Sequence, residues 1–159
     1  QVRVGFIKLW LTASSGAHSI YPNQAGIGQG AEEDLGAGQK NELVEAITID
    51  DFLEAEGWPS IGVIKIDAEG AEHQVFAGMQ GLLKRQDDLK IIFEFNRFRF
   101  EEIGVNSLEY LQSLQANNFT LHSIGRKKTN ALSSDDILFL CRESLGNTNL
   151  LAFKGAYEN

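Results

Sequence analysis

The sequence predicts an α/β fold in which a mostly parallel sheet is covered by helices. Residues 63–66 form a short β-branched strand pattern, and the following residues repeat apolar side chains at helical spacing to about Arg85. A second strand pattern over residues 91–95 precedes a second helical pattern over residues 107–117. Strands and helices in alternation are typical of parallel strands that are joined by crossover helices.

The N-terminal segment predicts a β-hairpin followed by a loop. Residues 4–13 alternate loosely between apolar and polar side chains, and residues 17–21 can return as the partner strand. Residues 22–41 carry several glycines and few large apolar side chains, so we expect a loop that buries little. We expect residues 1–45 to belong to the same domain as residues 46–159.

Further elements flank the central strands. Residues 46–49 are short and β-branched, and Asp50 is placed to cap a helix that begins at Asp51. Two more strands are predicted near the end of the sequence, over residues 136–141 and residues 149–153. The last strands of the sheet therefore come from C-terminal residues.

Composition and charge exclude several classes of protein. The 159 residues are 43% apolar and 23% charged, which is typical of one globular unit. The formal net charge is −8, and the basic residues are scattered except for the run from Arg126 to Lys128, so no nucleic-acid partner is expected. Apolar runs of only a few residues predict no membrane span. Cys141 is the only cysteine, which excludes an intrachain disulfide, and we expect it to be a small buried hydrophobe.

Acidic residues are concentrated where the first central strand ends. Along that strand Lys65 and Asp67 project to one face, and Lys65 needs an anionic partner, for which Glu94 is the candidate. Asp67 falls at the carboxyl end of the strand, where ligands bind in open α/β sheets. Glu69 and Glu72 lie in the first turn of the next helix, where the helix dipole favours carboxylates. A capped helix start with one buried ion pair is the purely structural alternative.

A longer string of residues carries a family resemblance. The sequence IKIDAEGAEHQVFAGMQGLL, followed by IIFEF, resembles the signature of FkbM-family S-adenosylmethionine-dependent methyltransferases. Residues 48–53 resemble the family's Thr-Leu-Asp-Asp-Leu segment, and residues 149–154 resemble its closing strand. The resemblance covers about residues 46–154, which corresponds to the C-terminal portion of the family's domain.

The resemblance implies a fold and an activity. The fold is the Rossmann-like class I methyltransferase fold with an antiparallel last strand, of which this chain would supply the fourth to seventh strands. The implied cofactor is S-adenosyl-L-methionine, and the implied reaction is O-methylation of a hydroxyl on a sugar, glycan or secondary metabolite. A non-catalytic α/β binding module or remnant is the alternative.

The same resemblance implies that part of the domain lies elsewhere. The strands that hold most of the cofactor have no counterpart in this sequence, and residues 26–30 are not the cofactor's glycine turn because no hydrophobic strand precedes them. We therefore expect the missing N-terminal half of the domain to be the main partner, and this chain alone to be inactive. A cytoplasmic location is expected.

The candidate site residues follow from the strand ends and from the resemblance. A carboxylate beside the attacking hydroxyl can act as its base, with Asp67 the first candidate. We expect no metal site, because neighbours on one helical turn rarely converge on one ion. The candidates are Asp67, Glu69 and Glu94 for catalysis, Asp67 and Gly70 for the cofactor, and His18, Ser19 and Asn96 for the substrate.

Overall fold

The computed structural model describes residues 5–10, 20–21, 41–125, 128–143 and 146–155. These residues form two sheets and a set of short helices. The strands are β1 (Gly5–Trp10), β2 (Asn41–Ala46), β3 (Val63–Ile66), β4 (Leu89–Phe95), β5 (Thr120–Ile124), β6 (Thr129–Ala131) and β7 (Thr148–Lys154). The helices are α1 (Ile49–Ala55), α2 (Glu72–Ala77), α3 (Gln80–Arg85), α4 (Arg97–Glu102), α5 (Ser107–Ala116) and α6 (Ser134–Glu143).

The main sheet has five strands in the order β3-β4-β7-β5-β6. Only β3 and β4 pair in parallel, whereas the other three neighbouring pairs are antiparallel. The expectation of a mostly parallel sheet is therefore wrong, because β7 inserts in the opposite direction between β4 and β5, and β6 folds back on β5. The predicted antiparallel last strand is confirmed.

The core lies on one face of this sheet. Alternate residues of β4, from Leu89 through Ile91 and Phe93 to Phe95, are fully buried in the main hydrophobic cluster. That cluster also takes side chains from α2, α3 and α5, so these helices cover the same face. The intervening residue Ile92 is only partly buried and lies outside the cluster. The strand thus separates a packed face from a second face that carries Glu94.

The central elements match their prediction. Strand β3 coincides with the predicted residues 63–66, and β4 and α5 contain or closely match the predicted ranges. The predicted closing strand lies within β7. No helix among the described residues is long and apolar enough to cross a bilayer.

The predicted strand over residues 136–141 is wrong, because this segment lies within helix α6. Ile137 and Cys141, four residues apart, are buried, whereas Phe139 between them is 60% exposed. That spacing is helical. Ser133 and Asp136 form the reciprocal hydrogen bonds of a helix start, in which each side chain accepts from the other's backbone amide.

The predicted helix from residue 70 to about Arg85 is two helices, α2 and α3, with Gly78 and Met79 between them. Asp50 does not cap α1, whose N-cap is Thr48. Its carboxylate instead accepts from the backbone amides at the start of α3, Gly81 and Leu82. Asp50 therefore caps a helix that is distant in sequence.

The N-terminal strand pairs differently from the prediction. β1 forms an antiparallel ladder with β2, with Gly5 opposite Ala46. Residues 20 and 21 form a bend rather than a strand. The rest of the predicted return strand, and the glycine-rich loop as far as residue 40, lie outside the described residues.

Candidate active site

Two neighbouring strands bring the acidic residues together. β3 and β4 run in parallel, with Ile66 beside Phe93, so the residues that follow in register are Asp67 and Glu94. A small cavity of about 90 Å³ opens at this end of the two strands. Its lining is mostly polar and consists of Glu69, Gly70, Glu72, Glu94, Asn96, Arg99, Phe100 and Asn147.

The loop between β3 and α2 is fixed by a buried carboxylate. Glu72 is only 3% exposed, and its Oε1 accepts a hydrogen bond of 3.0 Å from the backbone amide of Ala68. Because an unpaired carboxylate at this depth would be costly, this bond both satisfies Glu72 and holds the loop. The sequence-based expectation that Glu72 supports the helix start is consistent with this contact. The bond holds the loop against the first turn of α2.

Gly70 lies under the side chain of Arg99. Its φ of +96° is a conformation that L side chains rarely adopt, and a Cβ atom there would lie 2.7 Å from Arg99 Cγ and Nε. Arg99 is anchored in turn by an ion pair of 2.6 Å with Glu102. Glycine at position 70 therefore lets the Arg99 stem lie along the cavity wall.

Glu94 occupies an environment that disfavours its ionised form. Partial burial raises the pKa of Glu94 above its ordinary value, and the carboxylates of Glu69, Asp67 and Glu72 raise it further. A hydrogen bond from the Asn147 side chain acts in the opposite direction on this pKa. The ionised form of Glu94 is therefore disfavoured relative to a carboxylate in solvent.

The predicted ion pair between Lys65 and Glu94 is wrong. Lys65 Nζ lies 2.6 Å from Asp67 Oδ2, and the two side chains are 65% and 54% exposed. The prediction assumed that β3 lies inside the sheet, whereas β4 is its only neighbour among the described strands. Lys65 therefore stays in solvent and needs no buried partner.

The structure brings together four of the predicted site residues. Glu69, Gly70, Glu94 and Asn96 line the cavity. Asp67 stands beside it, outside the described lining but close enough for its charge to act on Glu94. The predicted substrate residues His18 and Ser19 lie outside the described residues. Within the described ranges no three His, Cys, Asp or Glu side chains form a metal-binding group.

Sequence reasoning missed Arg99 and Asn147. Arg99 could have been suspected from its place three residues after a polar strand end, because a first helical turn there faces the same rim. Asn147 precedes β7 and reaches the site only because that strand inserts beside β4. No local pattern in the sequence predicts such a contact.

Tyr21 contacts two residues of α2 and the side chain of Arg99. Its hydroxyl accepts a hydrogen bond of 2.8 Å from Gln74, and its ring stacks on His73 at a centroid distance of 6.3 Å. The guanidinium carbon of Arg99 lies 5.6 Å from the centre of the same ring. Tyr21 therefore contacts both α2 and Arg99, and it is not among the residues that line the cavity.

Comparison with known proteins bears on the family of this chain. Neither the curated proteins nor the solved structures include a significant match. A family profile, described as the methyltransferase FkbM domain, matches residues 3–121. The matched range includes β1 and β2 and ends at residue 121, before β7. Because more than half of the chain is matched, this protein belongs to the FkbM methyltransferase family.

Proposed function

We propose that this protein takes part in S-adenosylmethionine-dependent O-methylation of a hydroxyl on a sugar, glycan or secondary metabolite. The observation that carries the proposal is the meeting of Glu69 and Glu94, with Asp67 beside them, where two parallel strands end. Ligands of open α/β sheets bind at such strand ends. A carboxylate there can take the proton of an attacking hydroxyl.

The acidic rim suits a positively charged donor. S-adenosylmethionine supplies an activated methyl group on a sulfonium, and carboxylates near a cation stabilise it electrostatically. We assign Asp67 and Gly70 to cofactor binding, since Gly70 has no side chain between the loop and the cavity. Residues that hold donor and acceptor in line can supply roughly 7 to 11 kcal/mol of the barrier reduction.

The roles of the carboxylates follow from their surroundings. Asp67 is the proposed base that would take the proton of the acceptor hydroxyl as the oxygen–carbon bond forms and the sulfur–methyl bond of the donor breaks, which leaves S-adenosylhomocysteine. Glu69 is the second candidate for that role, and Glu94 orients the acceptor. Carboxylate and carboxamide groups bind hydroxyls well, because a carboxylate accepts and an amide both donates and accepts. Glu69 and Glu94 therefore favour an acceptor with several hydroxyl groups, whereas the amides of Asn96 and Asn147 already bond to each other.

The proposal includes a Rossmann-like class I fold whose N-terminal strands lie outside this chain. Support comes from β3, which has no described strand on its outer edge, and from Val63, which is 59% exposed. A strand of such apolar composition is typical of a position inside a sheet. Residues 1–45 and residues 46–159 would then form one domain with those strands.

The direct test is methyl transfer by a protein that contains this chain together with its upstream segment. Incubation with methyl-labelled S-adenosylmethionine and a panel of glycans and hydroxylated metabolites should give a product that carries the label. Resistance of that label to mild alkaline hydrolysis would identify an ether rather than an ester. Labelling of carboxyl or amine groups alone would refute O-methylation of a hydroxyl.

Calorimetric titration of this chain with S-adenosylhomocysteine tests the fragment proposal separately. We expect no tight binding by residues 1–159 and clear binding by the longer protein. Tight binding by this chain alone would refute the claim that the cofactor site is incomplete.

A further inference from the structure

We propose that Asn147 is a positioning residue that, through the helix cap at Asn96, holds the carboxylate of Glu94 in one orientation in the cavity. Its bearing on catalysis rests on the proposed function. Two hydrogen bonds, the first of which has a fixed direction, set the orientation of the Asn147 amide.

The direction of the first hydrogen bond is fixed at the N-terminus of α4. Asn96 is the N-cap residue, and its Oδ1 accepts a hydrogen bond of 3.1 Å from the backbone amide of Arg99. Because that backbone group can only donate, the amide of Asn96 must present its oxygen to the helix. Its Nδ2 is consequently the atom that points away from α4.

The orientation of the Asn96 amide in turn fixes that of the Asn147 amide. Asn96 Nδ2 donates to Asn147 Oδ1 over 2.5 Å, although the two residues are 51 positions apart. An asparagine whose oxygen accepts such a bond presents its NH₂ group on the other side. Asn147 and Glu94 line the same cavity, so this NH₂ group is assigned as the donor to Glu94, in agreement with the direction in which Asn147 lowers the pKa of that carboxyl. Both amides therefore have one orientation only.

Glu94 needs such a partner because of its neighbours. The carboxylates of Asp67 and Glu69 face it from the loop after β3, and that of Glu72 faces it from α2. Arg99 lines the same cavity from α4, and its guanidinium pairs with Glu102. Among like charges a carboxylate turns away unless a donor holds it, and Asn147 is placed to be that donor.

The test is a site-specific pH titration of Glu94 by carbon NMR of its carboxyl group, which requires neither cofactor nor acceptor. Asn147→Ala removes the donor, so the midpoint of Glu94 should move to higher pH than in the wild-type chain. Asn96→Ser keeps an oxygen for the α4 cap but removes the donor to Asn147, and it should move the midpoint in the same direction. Asn130→Ala, on exposed strand β6, is the matched control and should leave the midpoint unchanged.

An unchanged midpoint in Asn147→Ala, or an equal change in Asn130→Ala, would overturn the proposal. Failure of the proposed function is distinguishable from this result. If the titration shifts as expected while the longer protein transfers no methyl group, the hydrogen-bond chain stands and the methyltransferase role of the site falls.

Discussion

The carboxylate of Asp50 accepts a hydrogen bond of 2.6 Å from the backbone amide of Gly81, and so joins the start of α1 to the start of α3. A second bond of 2.9 Å comes from the amide of Leu82. These two amides belong to the first turn of α3, where backbone donors have no partner within the helix. The segment between α1 and α3 contains β3 and the acidic loop that follows it. The two hydrogen bonds of Asp50 therefore hold the ends of that segment together.

Replacing Asp50 with alanine should lower the free energy of unfolding by about 1 to 2 kcal/mol, because a helix cap is lost. Urea unfolding followed by circular dichroism measures this difference. Asp135→Ala, at an exposed acid in the first turn of α6, is the control and should have a smaller effect. Equal losses in the two variants would show that the two hydrogen bonds of Asp50 contribute nothing beyond the helix-dipole interaction.

Replacing Gly70 with alanine should disturb the cavity wall as well as the loop. The new Cβ would have to tolerate a positive φ and would displace the Arg99 side chain. The free energy of unfolding should therefore fall by about 1 to 3 kcal/mol. Gly104→Ala is the matched control, since Gly104 also has a positive φ but open space around its Cα. If both variants unfold at the same urea concentration, the close approach of Arg99 to Gly70 has no energetic importance.

The raised pKa of Glu94 predicts how stability depends on pH. A carboxyl whose folded pKa exceeds its unfolded value binds more protons in the folded state, so its stabilising contribution is present at low pH. That contribution is lost as pH rises through the folded pKa. Glutamine does not ionise, so Glu94→Gln does not lose this contribution as pH rises. From acidic to neutral pH, the free energy of unfolding of the variant should therefore increase relative to that of wild type.

The measurement for Glu94 is the difference in unfolding free energy at pH values below and above the carboxyl range. Glu54→Gln, at an exposed residue of α1, controls for the general effect of removing one negative charge. A wild-type protein that gains stability relative to Glu94→Gln as pH rises would contradict the assigned direction of the pKa shift.

The outer edge of β3 predicts self-association of this chain. Among the described strands β3 has no neighbour on its outer edge. Such an edge offers backbone donors and acceptors to another strand, and Val63 adds an exposed apolar side chain. We expect the wild-type chain to show species larger than the monomer in sedimentation experiments. Val63→Lys should lower the fraction of those species. Phe139→Lys is the control, because Phe139 is 60% exposed but lies on helix α6. An equal reduction in both variants would indicate general surface hydrophobicity rather than the edge.

The strands of the site could be predicted because their local signals agree. Residues 63–66 are β-branched and end at an Asp-Ala-Glu-Gly turn, and the next strand follows one helical segment later. The apolar run over residues 137–141 gave the wrong element because such a short run suits a buried strand or a helix equally well. The reciprocal capping pair of Ser133 and Asp136 was the local signal that distinguishes the two.

The contacts that complete the site could not be predicted locally. Asn147 meets Glu94 because β7 lies beside β4 rather than at the end of a parallel sheet. The pairing of Lys65 depends on whether β3 has a neighbour on its outer edge, which is a property of the whole sheet. Such contacts are set by tertiary topology, which overrides local propensity.

The central claim is that the carboxylates at the ends of β3 and β4 perform methyl transfer, and its most direct test is the turnover of Asp67→Asn. In a protein that contains this chain and is active in methyl transfer, this variant should lower the methyl-transfer rate by about 10²- to 10⁴-fold, with the circular dichroism spectrum and the free energy of unfolding unchanged. Asp87→Asn, at a 96% exposed aspartate away from the cavity, should retain wild-type turnover. Wild-type turnover by a correctly folded Asp67→Asn protein would contradict the claim.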